Sequence, residues 1–425
     1  MRERARHGAD LEPLLPRRGG EKIVLLRVTL PFLAGYFVSY IYRSVNAIIG
    51  PEIARELGLS AAGLGLLTAI YFFAFAVFQL PLGLLLDRFG PRRVNATMLL
   101  VAAAGGVWFA LGHSAVELTA ARGIIGLGVS GCLMSAFSAF ALWYPPERLS
   151  TMNGVAFASG MLGAVMATVP LEIVLRYFHW REVFGGIVAL TLLVSLLLYL
   201  VVPERAARSH GAPLRTQLAG FAHVARDPAF WRAALAIGAS QLAAVSLQTL
   251  WVATWLRDMA GYSPAQIARA LLAFALSMMV GYLGFGRAAD ALVRRGRSTL
   301  PLLAGGVAIA SFSLALVTLG VRAGGLALWC VFFCGSTAVV LSFSVLSRRY
   351  PPEMAGRVNT ALNVFIFVGM FTGQWAVGLI LSLWPPTATG YDPAAYPWAL
   401  GALWFVQFSG LAWLWVGRRN FATPR

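Results

Sequence analysis

Twelve apolar runs, each long enough to cross a bilayer, divide the chain into two sets of six. They fall near 25–49, 62–86, 94–112, 115–141, 152–175 and 183–202. After a polar stretch they resume near 231–256, 265–289, 299–320, 324–347, 358–383 and 397–417. About 20 apolar residues in helical form span the roughly 30 Å hydrocarbon layer. Within that layer each backbone N–H and C=O must be satisfied inside the chain, so segments of this length are helices. Composition agrees. Of 425 residues 59% are hydrophobic and only 12% charged, about half the charge of an average soluble domain. A soluble core of this length saturates before it hides so many apolar side chains. The 3 cysteines exclude a disulfide scaffold, and the hydrophobicity excludes disorder. The expected fold is an all-α polytopic membrane protein of twelve helices in two six-helix halves.

The polar intervals set the domain organisation: a tail over 1–24, a bundle over 25–202, a linker over 203–230, a second bundle over 231–417 and a short tail over 418–425. Two runs are nearly continuous with their successors. They break at Gly112-His113-Ser114 and at Gly320-Val321-Arg322, which read as hairpins. The chain carries 34 basic and 17 acidic residues, a net +17. On a soluble protein this excess would suggest nucleic acid. Here Lys22 is the sole lysine, and the arginines follow the threading. With the N-terminus in the cytoplasm, 26 basic residues fall on the cytoplasmic side and 8 outside or in the membrane. That bias orients both termini to the cytoplasm and predicts a multi-pass protein of a bacterial cytoplasmic (inner) membrane, with no nucleic-acid partner. The basic N-terminus also holds Glu3, Asp10, Glu12 and Glu21 and runs into a long apolar segment, so it reads as a tail, not a signal peptide.

The halves repeat. Tyr144-Pro145-Pro146-Glu147 recurs as Tyr350-Pro351-Pro352-Glu353, and Asn153 as Asn359, both at an offset of 206. Gly83-x-x-x-Asp87 recurs as Gly286-x-x-x-Asp290 at an offset of 203. Each element follows the second or fourth helix of its half. Parallel repeats suit a transporter in which one half rocks against the other.

Gly83-Leu84-Leu85-Leu86-Asp87-Arg88-Phe89-Gly90-Pro91-Arg92-Arg93 resembles the helix 2–3 loop motif of the major facilitator superfamily, with Pro91 in place of one basic residue. Arg122-Gly123-Ile124-Ile125-Gly126-Leu127-Gly128 resembles its helix 4 motif, and His179-Trp180-Arg181-Glu182-Val183-Phe184 its segment before helix 6. The resemblance covers nearly the whole chain and implies a secondary transporter. It also implies a conformational latch of Gly83, Asp87, Arg88, Gly90, Arg92 and Asp290 that stabilises the outward-open state. The physical reading is compatible. An anion at a helix C-terminus is disfavoured by the macrodipole, so Asp87 needs donors, and the start of helix 11 near Asn359 and Thr360 would supply them.

Two arginines fall within spans. Arg43 and Arg122 each cost about 2.5–3.5 kcal/mol on insertion scales, which marks a cavity or a function. Arg43 has no acidic neighbour in sequence and is flanked by Tyr40 and Tyr42. An unpaired cation in a cavity binds an anion, and a guanidinium suits a carboxylate. The binding set expected on the inner faces is Arg43, Tyr40, Tyr42, Asn46, Gln248, Trp251 and Asn363. Helix 1 resembles that of organic-anion symporters and organophosphate exchangers. The symporters read Asp-Arg where this chain reads Tyr42-Arg43, and the exchangers carry a second arginine in helix 7 where this chain has Val245-Ser246-Leu247-Gln248. A single arginine favours a monoanion over a phosphate. Arg122 resembles the helix 4 arginine implicated in proton coupling. Glu172, with Arg122 or Arg176 as partner, is the expected proton-loading carboxylate.

The expected function is therefore a proton-coupled, alternating-access transporter of a small organic anion, in symporter mode. The alternative is a metabolite or drug exporter working as a proton antiporter. A transporter-like sensor would need a soluble domain that the linker does not hold. No nucleotide-binding loop, catalytic constellation or metal cluster stands out, so an enzyme, a cofactor or a bound metal is not expected. The partners are a small-molecule substrate, the proton and the lipid bilayer, around a monomer.

Overall fold

The computed structural model describes residues 20–204, 224, 226–321, 325–342, 350, 355–387 and 390–416. The linker expected over 203–230 lies largely outside them, as do Pro351-Pro352-Glu353 and the side chain of Asn359. The described residues form helices in this order: α1 (Lys22–Ser44, continued by Asn46–Leu57), α2 (61–89), α3 (91–111), α4 (Ala115–Trp143) and α5 (Pro146–Met166, continued by Val169–Leu175). Then come α6 (Trp180–Val201), α7 (Pro228–Ser246, a wide turn Leu247–Trp251, and Val252–Ala260) and α8 (Pro264–Arg294). Finally α9 (Leu300–Thr318), α10 (Gly325–Val340), α11 (Ala355–Leu381) and α12 (Tyr396–Val416) close the second half. Eleven helices are long and apolar enough to cross a membrane, and α10 is a shorter apolar one. The protein is an integral, multi-pass membrane protein with a twelve-helix fold.

The α2–α3 connection is tighter than the sequence suggests. Helical backbone runs from Ala61 to Leu111 with a single non-helical residue, Gly90, at φ 76°. Glycine takes this conformation without steric cost. Pro91 then restarts the helix, where its missing N–H is not needed. The turn places α2 and α3 side by side, and the arginines after it are pinned within the first half. Arg92 donates to the carbonyl of Tyr199 from Nε at 3.1 Å and from Nη2 at 2.6 Å, and Arg93 pairs with Glu204 at 2.5 Å.

We call the end of the bundle that holds the α2–α3 turn the near face and the end that holds the α1–α2 turn the far face. On the far face the repeat reappears in detail. Gly58 and Gly261 end α1 and α7 at φ 61° and 67°. Ser60 and Ser263 cap α2 and α8, accepting from Gly63 N and Gln266 N. On the near face Tyr144 Oη lies 2.6 Å from Thr29 Oγ1 of α1, and its counterpart Tyr350 donates to Asp227 Oδ2 before α7 at 2.6 Å. Close helix contacts rest on glycine. A Cβ at Gly128 would stand 2.3 Å from Ala102 N, so α3 and α4 approach to backbone contact there.

Each half also pins its last far-face loop with an acid at the end of its first helix. In the first half this is Glu56. It accepts from Trp180 Nε1 at 2.8 Å and pairs with Arg181. Arg181 Nη2 donates to Gly112 O at 3.0 Å, and His179 Nε2 lies 3.8 Å from Glu52. Partial burial raises the Glu56 pKa, but the Trp180 N–H, Arg181 and His179 outweigh it and hold the carboxyl below its ordinary value. Such a carboxylate adds stability above its unfolded-state pKa and loses it as pH falls toward the folded value. Glu56→Gln is therefore expected to lower the melting temperature at neutral pH. It should also flatten the decline below about pH 4.5, as followed by thermal unfolding in detergent across pH.

Candidate functional site

Arg43 stands in the last turn of the Leu30–Ser44 segment, where α1 breaks for one residue before resuming at Asn46. Its guanidinium lies over three rings: Tyr40 at 4.6 Å, Phe75 of α2 at 5.5 Å and Phe367 of α11 at 5.5 Å. Phe75 and Phe367 stack on each other at 4.0 Å. The cation therefore rests on a pair of rings contributed by the two halves. Tyr36, Tyr71 and, from α8, Tyr282 complete the surround. A desolvated cation–π contact is worth about 2 kcal/mol, of the same order as the cost of placing the charge at this depth. The rings thus cover the cation's faces and leave its hydrogen bonds unmade. Arg43 Nε is buried with no partner, and no carboxylate pairs with Arg43, among the described residues.

Beside it, Asn46 is fully buried. Its Nδ2 donates to Thr68 Oγ1 at 3.0 Å and its Oδ1 has no partner among the described residues. Asn363 is half-buried on α11, four residues before Phe367 and so on the same face. Gln248 is half-buried in the wide turn of α7.

Two residues expected in the binding set are turned elsewhere. Tyr42 points into the first half, where its hydroxyl meets Thr191 Oγ1 of α6 at 3.0 Å and its ring packs against Phe184. One helical step is about 100°, so Tyr42 and Arg43 diverge while Tyr40 and Arg43 share a face. Trp251 is 1% exposed and donates from Nε1 to Gln374 O at 2.9 Å. It packs at Gly65 of α2, where an added Cβ would lie 3.1 Å from its ring. It fills the seam toward the far face.

Arg122 is 1% exposed. Its Nη1 donates to Tyr42 O at 2.9 Å, its guanidinium lies over Tyr71 and Phe109, and its Nε has no partner among the described residues. It thus holds the peptide that carries Arg43. Glu172 pairs with Arg176, four residues on, through two contacts of 2.9 Å, and not with Arg122. Asp87 and Asp290 are exposed, with no hydrogen-bond or ion-pair partner among the described residues. Arg88 lies over the Phe89 ring at 5.2 Å. An added Cβ at Gly83 would meet nothing within 4 Å.

The halves close against each other on the far-face side of Arg43. Ala62 N donates to Ser382 Oγ at 2.9 Å. A Cβ at Gly378 would stand 2.5 Å from Ala61 O, and one at Gly50 would stand 3.0 Å from Leu250. Phe73 and Phe371 meet at 5.3 Å. Residue-by-residue reading of the sequence missed Phe75, Phe367, Tyr71 and Tyr282. The cluster Tyr71-Phe72-Phe73 with Phe75 was the available signal.

Comparison with known proteins agrees with this architecture. The chain is 25% identical over 414 residues to the probable galactarate/D-glucarate transporter GudP of Bacillus subtilis, covering 88% of this chain and 87% of the relative. It is 28% identical over 162 residues to the probable sulfoacetate transporter SauU of Cupriavidus necator. That match spans 38% of this chain and 38% of the relative. These relatives are named as transporters, not enzymes. The fold matches a bacterial homologue of the human lysosomal transporter Spinster, solved inward-facing and unoccupied. The TM-score is 0.77 with 20% identity, covering 93% of this chain and 97% of that one. The sequence profile of the Major Facilitator Superfamily matches residues 32–374, and the chain belongs to that superfamily.

Proposed function

We propose that this protein is a secondary active transporter of a small organic anion and that Arg43 is the residue that binds the anion. One observation carries the reading: a guanidinium at the seam of the two halves, with no carboxylate partner and a buried, unpaired Nε. A cation left in this state gains most from an incoming carboxylate or sulfonate, because charge-assisted bonds are the strong ones. The names of the relatives, sugar acids and sulfoacetate among them, support an anionic substrate. Tyr40, Asn46, Gln248 and Asn363 would complete the site. Transport proceeds by alternating access, with the far face extracytoplasmic and both termini in the cytoplasm of a bacterial inner membrane. The far-face contacts, with the unpartnered Asp87 and Asp290 opposite, support a state closed outside and a latch that engages when the near face closes. Coupling is to protons, with Glu172 as the loading carboxylate and Arg122 relaying to the Arg43 peptide. The protein works as a monomer.

The test is uptake into proteoliposomes from a panel of monocarboxylates, sugar acids, sulfonates, neutral sugars and amines, with and without an inward proton gradient. Anions are expected to accumulate, faster with the gradient, and Glu172→Gln should remove the stimulation. Uptake confined to neutral or cationic compounds would overturn the anion reading. Anion uptake indifferent to the gradient would overturn proton coupling alone.

A further inference from the structure

Asp258, near the far-face end of α7, is the C-half counterpart of Glu56. Its side chain is only 3% exposed, and its hydrogen bonds are well used. Arg257 donates to it from Nε at 2.6 Å and from Nη2 at 3.0 Å. From the connection between α11 and α12, Tyr391 N donates at 3.1 Å and Tyr396 Oη at 2.6 Å. The fit leaves no room for a larger residue: a Cβ at Gly390 would stand 2.2 Å from Asp258 Oδ1. A buried carboxylate that accepts from two positions of one loop fixes that loop's path over the end of α7.

The fixed loop reaches the seam. Tyr391 lies under the Arg257 guanidinium at 5.7 Å and packs against the Trp251 ring at 6.1 Å. Trp251 in turn presses on Gly65 of α2 and bonds to Gln374 O. A continuous set of contacts therefore runs from Asp258 through Tyr391 and Trp251 to the first half. The N-half clamp differs here. Glu56 holds Trp180 and Arg181, which pack on Phe109 and Gly112 within their own half. The two clamps are alike in build, and the one on Asp258 extends across the seam.

We propose that Asp258 is a positioning residue for the far-face gate. It holds the α11–α12 connection so that Tyr391 braces Trp251 against α2, and it thereby sets how firmly the far face stays closed. This rests on the alternating-access reading only for its consequence in transport; the closure itself is independent of any substrate. The readout is a spin-label pair on exposed far-face positions of the two halves, Tyr177 and Leu319, in full-length protein with the native cysteines replaced by serine. Asp258→Asn is expected to move a several-fold larger share of molecules to the longer distance. Tyr391→Ala, which leaves the acid and its other partners in place, is expected to do the same. Glu56→Gln should not. In uptake, Asp258→Asn should lower the maximal rate several-fold with little change in half-saturating concentration. Unchanged distances in both folded C-half variants would overturn the proposal, as would an equal shift in Glu56→Gln. Distances that shift as expected in a protein that moves no anion would sustain the clamp and sink the substrate reading.

Discussion

Arg43→Ala should raise the half-saturating concentration for anion uptake by about 10- to 100-fold, while the protein folds as well as before or better. The first expectation follows from the bonds lost. Hydrogen bonds to a charged group are worth about 1.5–3 kcal/mol, and each 1.4 kcal/mol is a factor of ten. The second follows from the site. The guanidinium is buried over rings, with its Nε unpaired among the described residues, so removing it relieves the cost of holding a charge at that depth. A residue placed for structure would show the reverse, with stability lost first. Arg43→Lys keeps the charge but not the planar fork and should fall between alanine and the native protein. Uptake kinetics in proteoliposomes, paired with thermal unfolding of the same preparations, checks both halves. Arg43→Ala protein with native affinity for its anion would remove Arg43 from the site.

Gly378→Val should hold the far face open and reduce transport by at least tenfold. Gly378 on α11 faces the start of α2, and an added Cβ would stand 2.5 Å from Ala61 O and 3.0 Å from Ala61 C. Both neighbours are backbone, so neither yields by changing rotamer. Overpacking of this kind costs about 1–3 kcal/mol. The contact joins the two halves, so the cost falls on the closed arrangement and not on the folding of either half. A bias of that size shifts a two-state equilibrium by roughly 5- to 150-fold. Labelling of a far-face cysteine such as Phe73→Cys, expected to rise, measures the shift directly. Gly305→Val is the control, since a Cβ there would meet nothing within 4 Å. Native transport by Gly378→Val would show that this contact is not part of the gate.

Much of the site could be read along one helix. Tyr40 and Arg43 lie three residues apart and share a face, and the same periodicity turns Tyr42 away by about 100° per residue. Applying it at the outset would have excluded Tyr42. The Glu172–Arg176 pair is likewise an i, i+4 relation legible in sequence. Phe367 is different. It lies 324 residues from Arg43 in the chain, and only helix packing stacks it on Phe75 beside the guanidinium. Asp258 is similar, because the segment that buries it arrives from beyond α11.

The sequence by itself determined the twelve helices, the internal repeat and the positions of the buried cations. These follow from hydropathy, short motifs and the cost of charge in lipid, which act residue by residue. The tertiary structure decided which ring, carbonyl or carboxylate each cation and anion meets, and which face of the bundle is closed. Those outcomes depend on close approaches between helices distant in the chain, as at Gly65, Gly126 and Gly378. A hydrophobic pattern allows many such approaches, and only packing of the whole bundle selects among them.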